Sequence, residues 1–272
     1  SSDLKVLREM TPKLAASTRA QYTTAAEVLK RKLAAFEPQD VKSKHVAKIK
    51  QSMADTPNMA NRIISFLRTV FAYAVEAQMV DSNPCVGVRR FTEAKRTRLL
   101  SASEWEAIHA AAGPRLRVIM ELQFLTGQRI GDVLKIRRSQ ITDEGIDFRQ
   151  QKTGAKLLVA WSPDLRATVA AAEALSAGIP ALTLLRGRWG KAPDYKSVYQ
   201  QWIEACKAAG VADAKPNDGR AMSATETKRQ GKNATALLGH TSETMTRRYL
   251  RDKETPVVEG PRLKRKPRDN AA

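Results

Sequence analysis

The stretch from Leu237 to Tyr249 holds a histidine and a tyrosine nine positions apart, His240 and Tyr249. A phenol is a weak nucleophile at neutral pH, because its unperturbed pKa is about 10. If Tyr249 attacks an electrophile, nearby cations must hold that electrophile and stabilise the charge of the transition state. Because the chain is rich in positive charge, a phosphodiester is the electrophile that this stretch favours.

Three basic residues earlier in the chain have surroundings suited to holding a phosphate. Arg129 stands at the start of a predicted helix, where the helix N-terminus itself favours anions. Lys152 lies at the tip of a predicted β-hairpin, and Arg220 follows a stretch that contains proline and glycine and leads into a helix. Each of them alone is more often a surface charge, so their weight comes from occurring together and in this order.

Transfer of a DNA phosphodiester to a tyrosine passes through a pentacoordinate phosphorane with two charged non-bridging oxygens. Arginine holds such oxygens bidentately and stays charged, so Arg129 and Arg220, with His240, are the predicted clamp. Stabilisation of this kind contributes on the order of 3–4 kcal/mol per donor. The leaving 5′-oxygen is a poor leaving group, so a general acid is needed, and Lys152 is the candidate. This chemistry needs no metal or other cofactor, and none is expected.

The composition indicates a DNA-binding protein with more than one domain. The chain has 272 residues, a net charge of +19 and a pI near 10.2. The excess is spread out: residues 1–96 carry 17 Lys/Arg against 9 Asp/Glu, and the remainder carries 30 against 19. Basic surfaces on both halves predict that the protein binds a polyanion from two sides. Its affinity for that polyanion should fall as the salt concentration rises.

Membrane association, a metal site and a disulfide are all disfavoured by the sequence. No segment approaches the roughly 18 consecutive apolar residues of a membrane-spanning helix, and no signal peptide opens the chain. Cys85 and Cys206 are far apart and are predicted to be reduced and structural, in a cytoplasmic setting. Three histidines in all argue against a His-rich metal site.

The elements that must position these residues are mainly α-helices with a small β-sheet. We predict a helical DNA-binding domain at 1–90, a basic linker at 91–98, a catalytic domain at 99–260 and a basic tail at 261–272. Thr56 and Pro57 are typical of a helix start, and a buried apolar stripe from Ile63 to Val75 follows them. Basic residues away from this stripe and at the end of the domain are candidate DNA contacts: Lys42, Lys44, Lys48, Lys50, Arg62, Arg68, Arg89 and Arg90.

Taken together, the motifs resemble those of the tyrosine recombinase family, and most of all its phage-type integrases. The resemblance covers roughly residues 15–255. It is carried by five pieces in order: Thr126-Gly127-Gln128-Arg129-Ile130-Gly131-Asp132, Lys152-Thr153-Gly154, Arg220, Leu237-Leu238-Gly239-His240 and Tyr249. Each piece alone is a weak signal, whereas all five with the final histidine-to-tyrosine spacing form a strong one.

The resemblance implies a role for each of these residues. Tyr249 would be the nucleophile that forms a 3′-phosphotyrosyl bond and frees a 5′-hydroxyl. The scissile phosphate would be held by Arg129, Arg220 and His240. Lys152 would be the general acid, and Asp132 would support the arginine region.

The resemblance also implies the partners. The helical first domain resembles the core-binding domain of that family, and both domains would close as a C-shaped clamp on duplex DNA. Four protomers would assemble on two recombination sites, with residues 250–260 packing onto a neighbour. Accessory DNA-bending proteins are further candidate partners, and the nucleoid of a bacterial host is the expected location.

One position departs from the family pattern. Three residues before the second arginine the family commonly has histidine or lysine, and this chain has Asn217. A carboxamide cannot act as a general base, although it can donate a hydrogen bond to a phosphate oxygen. Asn217 therefore leaves open a sequence-specific DNA-binding protein that no longer cleaves. Among enzymes, a chromosome or plasmid dimer resolvase of the same chemistry, a type IB topoisomerase and a transposase also stay open.

Overall fold

The computed structural model describes residues 14–94, 96–176 and 181–250, and the chain forms two compact units, 1–96 and 97–272. The predicted tail at 261–272 and the segment after Leu250 lie outside the described residues. Among the residues that are described, no helix is both long and apolar enough to cross a membrane.

The first unit is helical, as predicted. Its elements are α1 (Ala16–Lys32), a 3₁₀ turn (Pro38–Asp40), α2 (Ser43–Gln51) and α3 (Pro57–Glu76). Thr56 precedes α3 and Pro57 is its first residue, where the fixed φ of proline suits a helix and its missing N–H costs nothing. Ser43 is the first residue of α2, and Lys42 occupies the cap position.

The core of this unit is the apolar stripe of α3 packed against α1 and α2. Ile63, Ile64 and Leu67 are at most 3% exposed, and Leu29 of α1 and Val46 of α2 are buried in the same cluster. Most of the predicted stripe is therefore core, because its three-and-four spacing keeps it on one helix face. Its last member departs from the prediction: Val75 is 37% exposed, since it is turned about 100° from its buried neighbour Ala74.

The candidate DNA-contact residues of this unit fall into two groups. Arg68 is half-buried, and its Nη2 donates to the carbonyls of Cys85 at 3.2 Å and Val88 at 3.1 Å. Lys50 is also engaged, because its Nζ donates to the Arg89 carbonyl at 3.0 Å. The remaining candidates have exposed side chains: Lys42, Lys44, Lys48, Arg62, Arg89 and Arg90. Arg68 thus stabilises the end of its own unit, which leaves its guanidinium less free for a phosphate than sequence alone indicated.

The second unit combines eight helices, all within the described residues, with one antiparallel β-hairpin. The helices and strands are α4 (Ala102–Ala111), α5 (Pro114–Thr126), α6 (Ile130–Val133), β1 (Gly145–Arg149), β2 (Lys156–Ala160), α7 (Pro163–Ala174), α8 (Tyr195–Ala208), α9 (Asp218–Arg229), α10 (Ala234–Leu237) and α11 (Glu243–Thr246). Short 3₁₀ turns lie at Arg138–Gln140 and Arg188–Gly190. The predicted fold class, mainly α with a small sheet, is confirmed.

Local signals in the sequence set several of these boundaries. Ser101 Oγ accepts from the Glu104 amide at 3.1 Å, and the Ser101 amide donates to the Glu104 carboxylate at 2.9 Å. These two reciprocal hydrogen bonds form the capping box of α4. Gly127 ends α5 with a left-handed φ of 65°, so the chain turns sharply just before Arg129. The predicted hairpin is present, and its strands pair Gly145 with Ala160 and Arg149 with Lys156.

The core of the second unit surrounds α5. Leu116, Ile119 and Leu122 of this helix are at most 1% exposed, and α7 and α9 pack against it. Cys85 in the first unit and Cys206 in the second are both free and buried, and burial raises the pKa of each thiol to about 11. Both cysteines are therefore structural thiols, as predicted.

Candidate active site

Arg220 is the most buried member of the predicted set. It lies in the first turn of α9 and is 0% exposed. Its Nη1 donates to the Gly127 carbonyl at 2.7 Å, and its Nη2 donates to the Leu238 carbonyl at 2.8 Å. The guanidinium therefore joins the end of α5 to the end of α10, and its Nε has no acceptor among the described residues.

His240 is held at both ring nitrogens. Its Nδ1 lies 3.0 Å from Thr246 Oγ1, and its Nε2 lies 3.1 Å from Arg220 Nη2. A guanidinium only donates, so Nε2 accepts here and the ring proton sits on Nδ1, directed at the Thr246 hydroxyl. Thr246 is 2% exposed and thus fixes the plane of the ring.

Tyr249 reaches the same place from the turn after α11. Its ring centroid is 5.2 Å from that of His240 and 5.1 Å from Arg220 Cζ. Its amide donates to the Thr246 carbonyl at 2.8 Å, so the short helix α11 sets the separation of the histidine and the tyrosine. The Tyr249 ring is half-buried, with part of its surface open to solvent.

Arg129 completes the cluster from a different part of the chain. It precedes α6 in extended geometry, with φ −64° and ψ 142°, and is half-buried. Its Nη1 donates to Gln150 Oε1 at 2.7 Å. Its positive charge acts on both Arg220 and His240. We call Arg129, Arg220, His240 and Tyr249 the phosphate clamp.

The electrostatics of the phosphate clamp are those of an anion site. Burial, followed by the charge of Arg129, lowers the pKa of Arg220 to about 10, although Tyr249 and Asp132 act in the opposite direction. Burial, followed by the charges of Arg220 and Arg129, lowers the pKa of His240 to about 4. Arg220 therefore remains charged at neutral pH, whereas His240 is neutral. An anion bound between Arg129 and Arg220 would raise the pKa of both Arg220 and His240, because its negative charge offsets the positive charge that disfavours protonation.

The other predicted residues lie around the clamp. Lys152 is exposed on the turn between β1 and β2, and within the described part of the chain it makes no hydrogen bond to a clamp residue. Asp132 is 8% exposed; its Oδ1 accepts from the Gln151 amide at 2.9 Å, so it supports the hairpin, and its charge also raises the pKa of Arg220. Asn217 precedes α9 with an exposed side chain that makes no capping hydrogen bond.

Sequence reasoning missed three polar residues that hold the site: Thr246, Gln128 and Gln150. Gln128 and Gln150 are 0% and 1% exposed. A signal for Gln150 was present, because strand alternation from the buried Ile146 and Phe148 puts position 150 on the same inward face. A carboxamide at such a position needs partners, which marks it as part of a polar network.

The described residues include no group of three or more His, Cys, Asp or Glu that could hold a metal ion.

Comparison with known proteins gives a consistent result over most of the chain. Residues 89–255 match the model of the phage integrase family. The integrase of Escherichia phage HK022 is 30% identical over 247 residues, which is 85% of this chain and 69% of that protein. The integrase of Escherichia phage lambda is 27% identical over 254 residues, which is 87% of this chain and 70% of that protein.

Solved structures share the fold. A lambda integrase dimer bound to a COC′ core site has a TM-score of 0.82 at 23% identity and covers 97% of this chain and 79% of that one. A lambda integrase tetramer bound to a Holliday junction has a TM-score of 0.82 at 24% identity, covering 95% of this chain and 79% of that one. At this level of identity the similarity establishes the arrangement of the backbone.

Proposed function

The chain belongs to the phage integrase family and is an enzyme of the tyrosine recombinase type; we propose that it recombines DNA at specific sites by cutting and rejoining strands through Tyr249. The phosphate clamp is the observation that carries this proposal. The clamp brings together four side chains from separate elements. Arg220, His240 and Tyr249 contact one another directly, and the charge of Arg129 acts on Arg220. Two guanidinium groups that act on each other by charge repel, so a bound anion explains why they are placed together better than folding stability does.

In the proposed reaction, Tyr249 Oη attacks the scissile phosphorus. The bond from this oxygen to phosphorus forms while the bond from phosphorus to the 5′-oxygen breaks, which leaves a 3′-phosphotyrosyl link and a 5′-hydroxyl. The leaving oxygen takes a proton from the Lys152 ammonium, and the phenol proton is released to water, because the Asn217 carboxamide cannot accept it. Attack by a 5′-hydroxyl on the phosphotyrosyl bond reverses the sequence and reseals a strand.

The clamp residues stabilise the charge that develops on the non-bridging oxygens. Arg220 already has its guanidinium fixed by the Gly127 and Leu238 carbonyls, so little reorganisation is needed when the phosphate arrives. Its unpaired Nε is a buried charged donor, and leaving such a donor unsatisfied costs about 1–3 kcal/mol or more. His240 would exchange its contact with Arg220 for one with phosphate, and a nearby anion would favour its protonated, donating form.

The partners follow from this chemistry. We place duplex DNA against both units, with the exposed basic side chains of the first unit, among them Lys44, Lys48 and Arg62, at its phosphates. The lambda integrase structures, one a dimer on a core site and one a tetramer on a Holliday junction, support assembly of four protomers of this chain on two sites. Accessory DNA-bending proteins and action on the nucleoid of a bacterial host complete the proposal.

A nicked suicide substrate tests the function directly. Once the strand next to the nick is cut, the short leaving piece diffuses away and traps the covalent protein–DNA adduct, which denaturing electrophoresis detects. We expect wild type and the control Tyr199→Phe, an exposed tyrosine on α8, to form the adduct, and Tyr249→Phe to form none. The second candidate function is a sequence-specific DNA-binding protein that does not cleave, because the exposed Asn217 departs from the family pattern. If the wild-type protein binds its DNA site specifically but forms no adduct, this second function is favoured and the recombinase proposal is contradicted.

A further inference from the structure

The carboxamide of Gln150 occupies the junction between the phosphate clamp and the turn that carries Lys152. Gln150 follows β1 and is 1% exposed. Its Oε1 accepts from two donors, Arg129 Nη1 at 2.7 Å and Thr153 Oγ1 at 2.8 Å. One oxygen atom therefore contacts both a clamp arginine and the residue next to the predicted general acid. We call residues 152–154 the lysine turn.

The amide nitrogen of the same side chain points the other way. Its Nε2 donates to Gln128 Oε1 and to the Leu238 carbonyl, both at 2.8 Å. A Cβ added at Gly239, the residue before His240, would lie only 2.6 Å from this nitrogen. The Gln150 carboxamide thus packs directly against the loop that presents His240.

The main chain of Gln150 closes the lysine turn as well. Its amide donates to the Ala155 carbonyl at 2.9 Å, and its carbonyl accepts from the Gly154 amide at 2.8 Å. The position of Lys152 therefore depends on Gln150 through two backbone bonds and through the hydroxyl of Thr153.

The orientation of the carboxamide is fixed by its neighbours. A carboxamide offers two acceptor sites on oxygen and two donors on nitrogen, and all four are used here. A flip would direct the NH₂ group at the Arg129 guanidinium, which only donates, and the oxygen at the Leu238 carbonyl, which only accepts. The flipped state is therefore excluded, and the group behaves as a rigid link.

We propose that Gln150 is a positioning residue that holds Arg129, the lysine turn and the His240 loop in one fixed arrangement for strand cleavage. This rests on the function proposed above. Gln150 sets the angle of Arg129 through Oε1, and sets the reach of Lys152 through Thr153. Since a displacement of about 1 Å at a catalytic group can cost ~100-fold in rate, loss of the link slows cleavage without removing any group that reacts.

Two adjacent glutamines provide a matched pair of variants. Gln150→Met keeps the side-chain length and removes the four hydrogen bonds, whereas Gln151→Met removes the same group from an exposed position that contacts Lys135. With the suicide substrate, we expect Gln150→Met to form adduct ~100-fold more slowly and Gln151→Met to stay within about threefold of wild type. DNA affinity, measured by gel shift, stays unchanged in both, because neither variant removes a charge.

Thr153→Val tests the link to the lysine turn and does not depend on the core tolerating methionine, since Thr153 is exposed. It removes one hydroxyl and leaves the bond from Arg129 to Gln150 in place. We expect slower cleavage of ordinary DNA and recovery with a substrate whose bridging 5′-oxygen is sulfur, a leaving group that needs no acid. Gln150→Met recovers only in part with sulfur, because Arg129 is displaced as well. A loss caused only by general loosening of the fold would not depend on the leaving atom.

The outcomes separate this inference from the function on which it rests. If wild type forms no adduct, the proposed function fails. If wild type forms adduct and both Gln150→Met and Thr153→Val react at the wild-type rate, or lose rate equally with oxygen and sulfur, the positioning role is overturned. If Gln150→Met does not fold, judged by its thermal unfolding, the sulfur dependence of Thr153→Val decides.

Discussion

The phosphate clamp and the lysine turn lie on either side of Gln150 but are built in opposite ways. In the clamp, Arg220 is fully buried and His240 is held at both ring nitrogens. In the lysine turn, Lys152 is exposed and projects from a two-stranded hairpin. The groups proposed to stabilise charge are thus held by hydrogen bonds within the protein, whereas the proposed proton donor lies on a surface turn.

The difference follows from what each group has to do. Preorganised donors are effective because they need no reorientation as charge develops, and burial keeps them in place. A general acid must instead come within hydrogen-bond reach of a leaving oxygen that belongs to the DNA and is present only in the complex. A long side chain on an exposed turn suits that task, provided that the base of the turn is fixed, which is the role inferred for Gln150.

The largest effect on strand cleavage is expected in the phosphate clamp, at the buried Arg220. Replacing Arg220 by Met removes the guanidinium and leaves the Gly127 and Leu238 carbonyls without their donor. We expect adduct formation to slow by about 1,000-fold, the upper end for loss of such donors, and the melting temperature to fall. Arg138→Met is the control, because the Arg138 side chain forms an exposed ion pair with Glu173 and, among the described residues, contacts no member of the clamp. Near-wild-type cleavage by Arg220→Met would remove the clamp from the mechanism.

A smaller effect on strand cleavage is expected in the exposed lysine turn. Lys152→Ala should slow adduct formation by about 100-fold, within the usual range for a general acid, with DNA affinity and stability close to wild type. A substrate with bridging sulfur at the 5′ position should restore the rate, because thiolate leaves without a proton. If sulfur brings no recovery, Lys152 is not the acid, and another donor must be sought.

The protonation of His240 in the clamp should make folding stability depend on pH. Folding lowers the pKa of His240 from 6.5 to about 4, so between these pH values the unfolded state binds more protons than the folded one. The contribution of His240 therefore makes the folded state more stable as pH rises from 4 to 6.5, and is lost as pH falls through that range. Urea unfolding at several pH values should show a shallower dependence in His240→Asn than in wild type. Equal slopes would mean that the ring is not held in its neutral form.

The smallest effect is expected at Asn217. Substitution by histidine at this exposed position should leave stability within about 0.5 kcal/mol of wild type, as surface changes usually do. Because histidine can accept a proton at neutral pH, we expect adduct formation to rise a few-fold, with the gain lost below the pKa of the new imidazole. A rate equal to that of wild type at every pH would show that this position takes no part in the proton transfer.

Much of the fold was predictable because the decisive signals are local. The capping box at Ser101 and Glu104, the proline at position 57 and the glycine at position 127 act within one helical turn, so they can be read from a few residues. That the clamp residues lie together was predictable for a different reason. The phosphoryl transfer proposed for Tyr249 limits which side chains are useful, and the chain holds them in a recognisable order.

What could not be predicted depends on contacts between distant parts of the chain. The link from Gln128 to the Leu237 carbonyl spans 109 positions, and the one from Gln150 to the Leu238 carbonyl spans 88. Glutamine is usually a surface residue, so residue type marks neither as buried, and strand alternation indicates burial for Gln150 but not its distant partners. Arg68 is the reverse case, because its basic side chain suggested DNA but binds carbonyls of its own unit.

The most direct test of the clamp is the structure of Tyr249→Phe bound to an uncut duplex recombination site. The non-bridging oxygens of the scissile phosphate should lie at about 2.7–3.1 Å from donors of Arg129, Arg220 and His240, with the phenylalanine ring facing the phosphorus. If instead the scissile phosphate lies away from these three side chains, with none of them donating to it, then a ring of cations does not activate Tyr249 and the proposed mechanism is wrong.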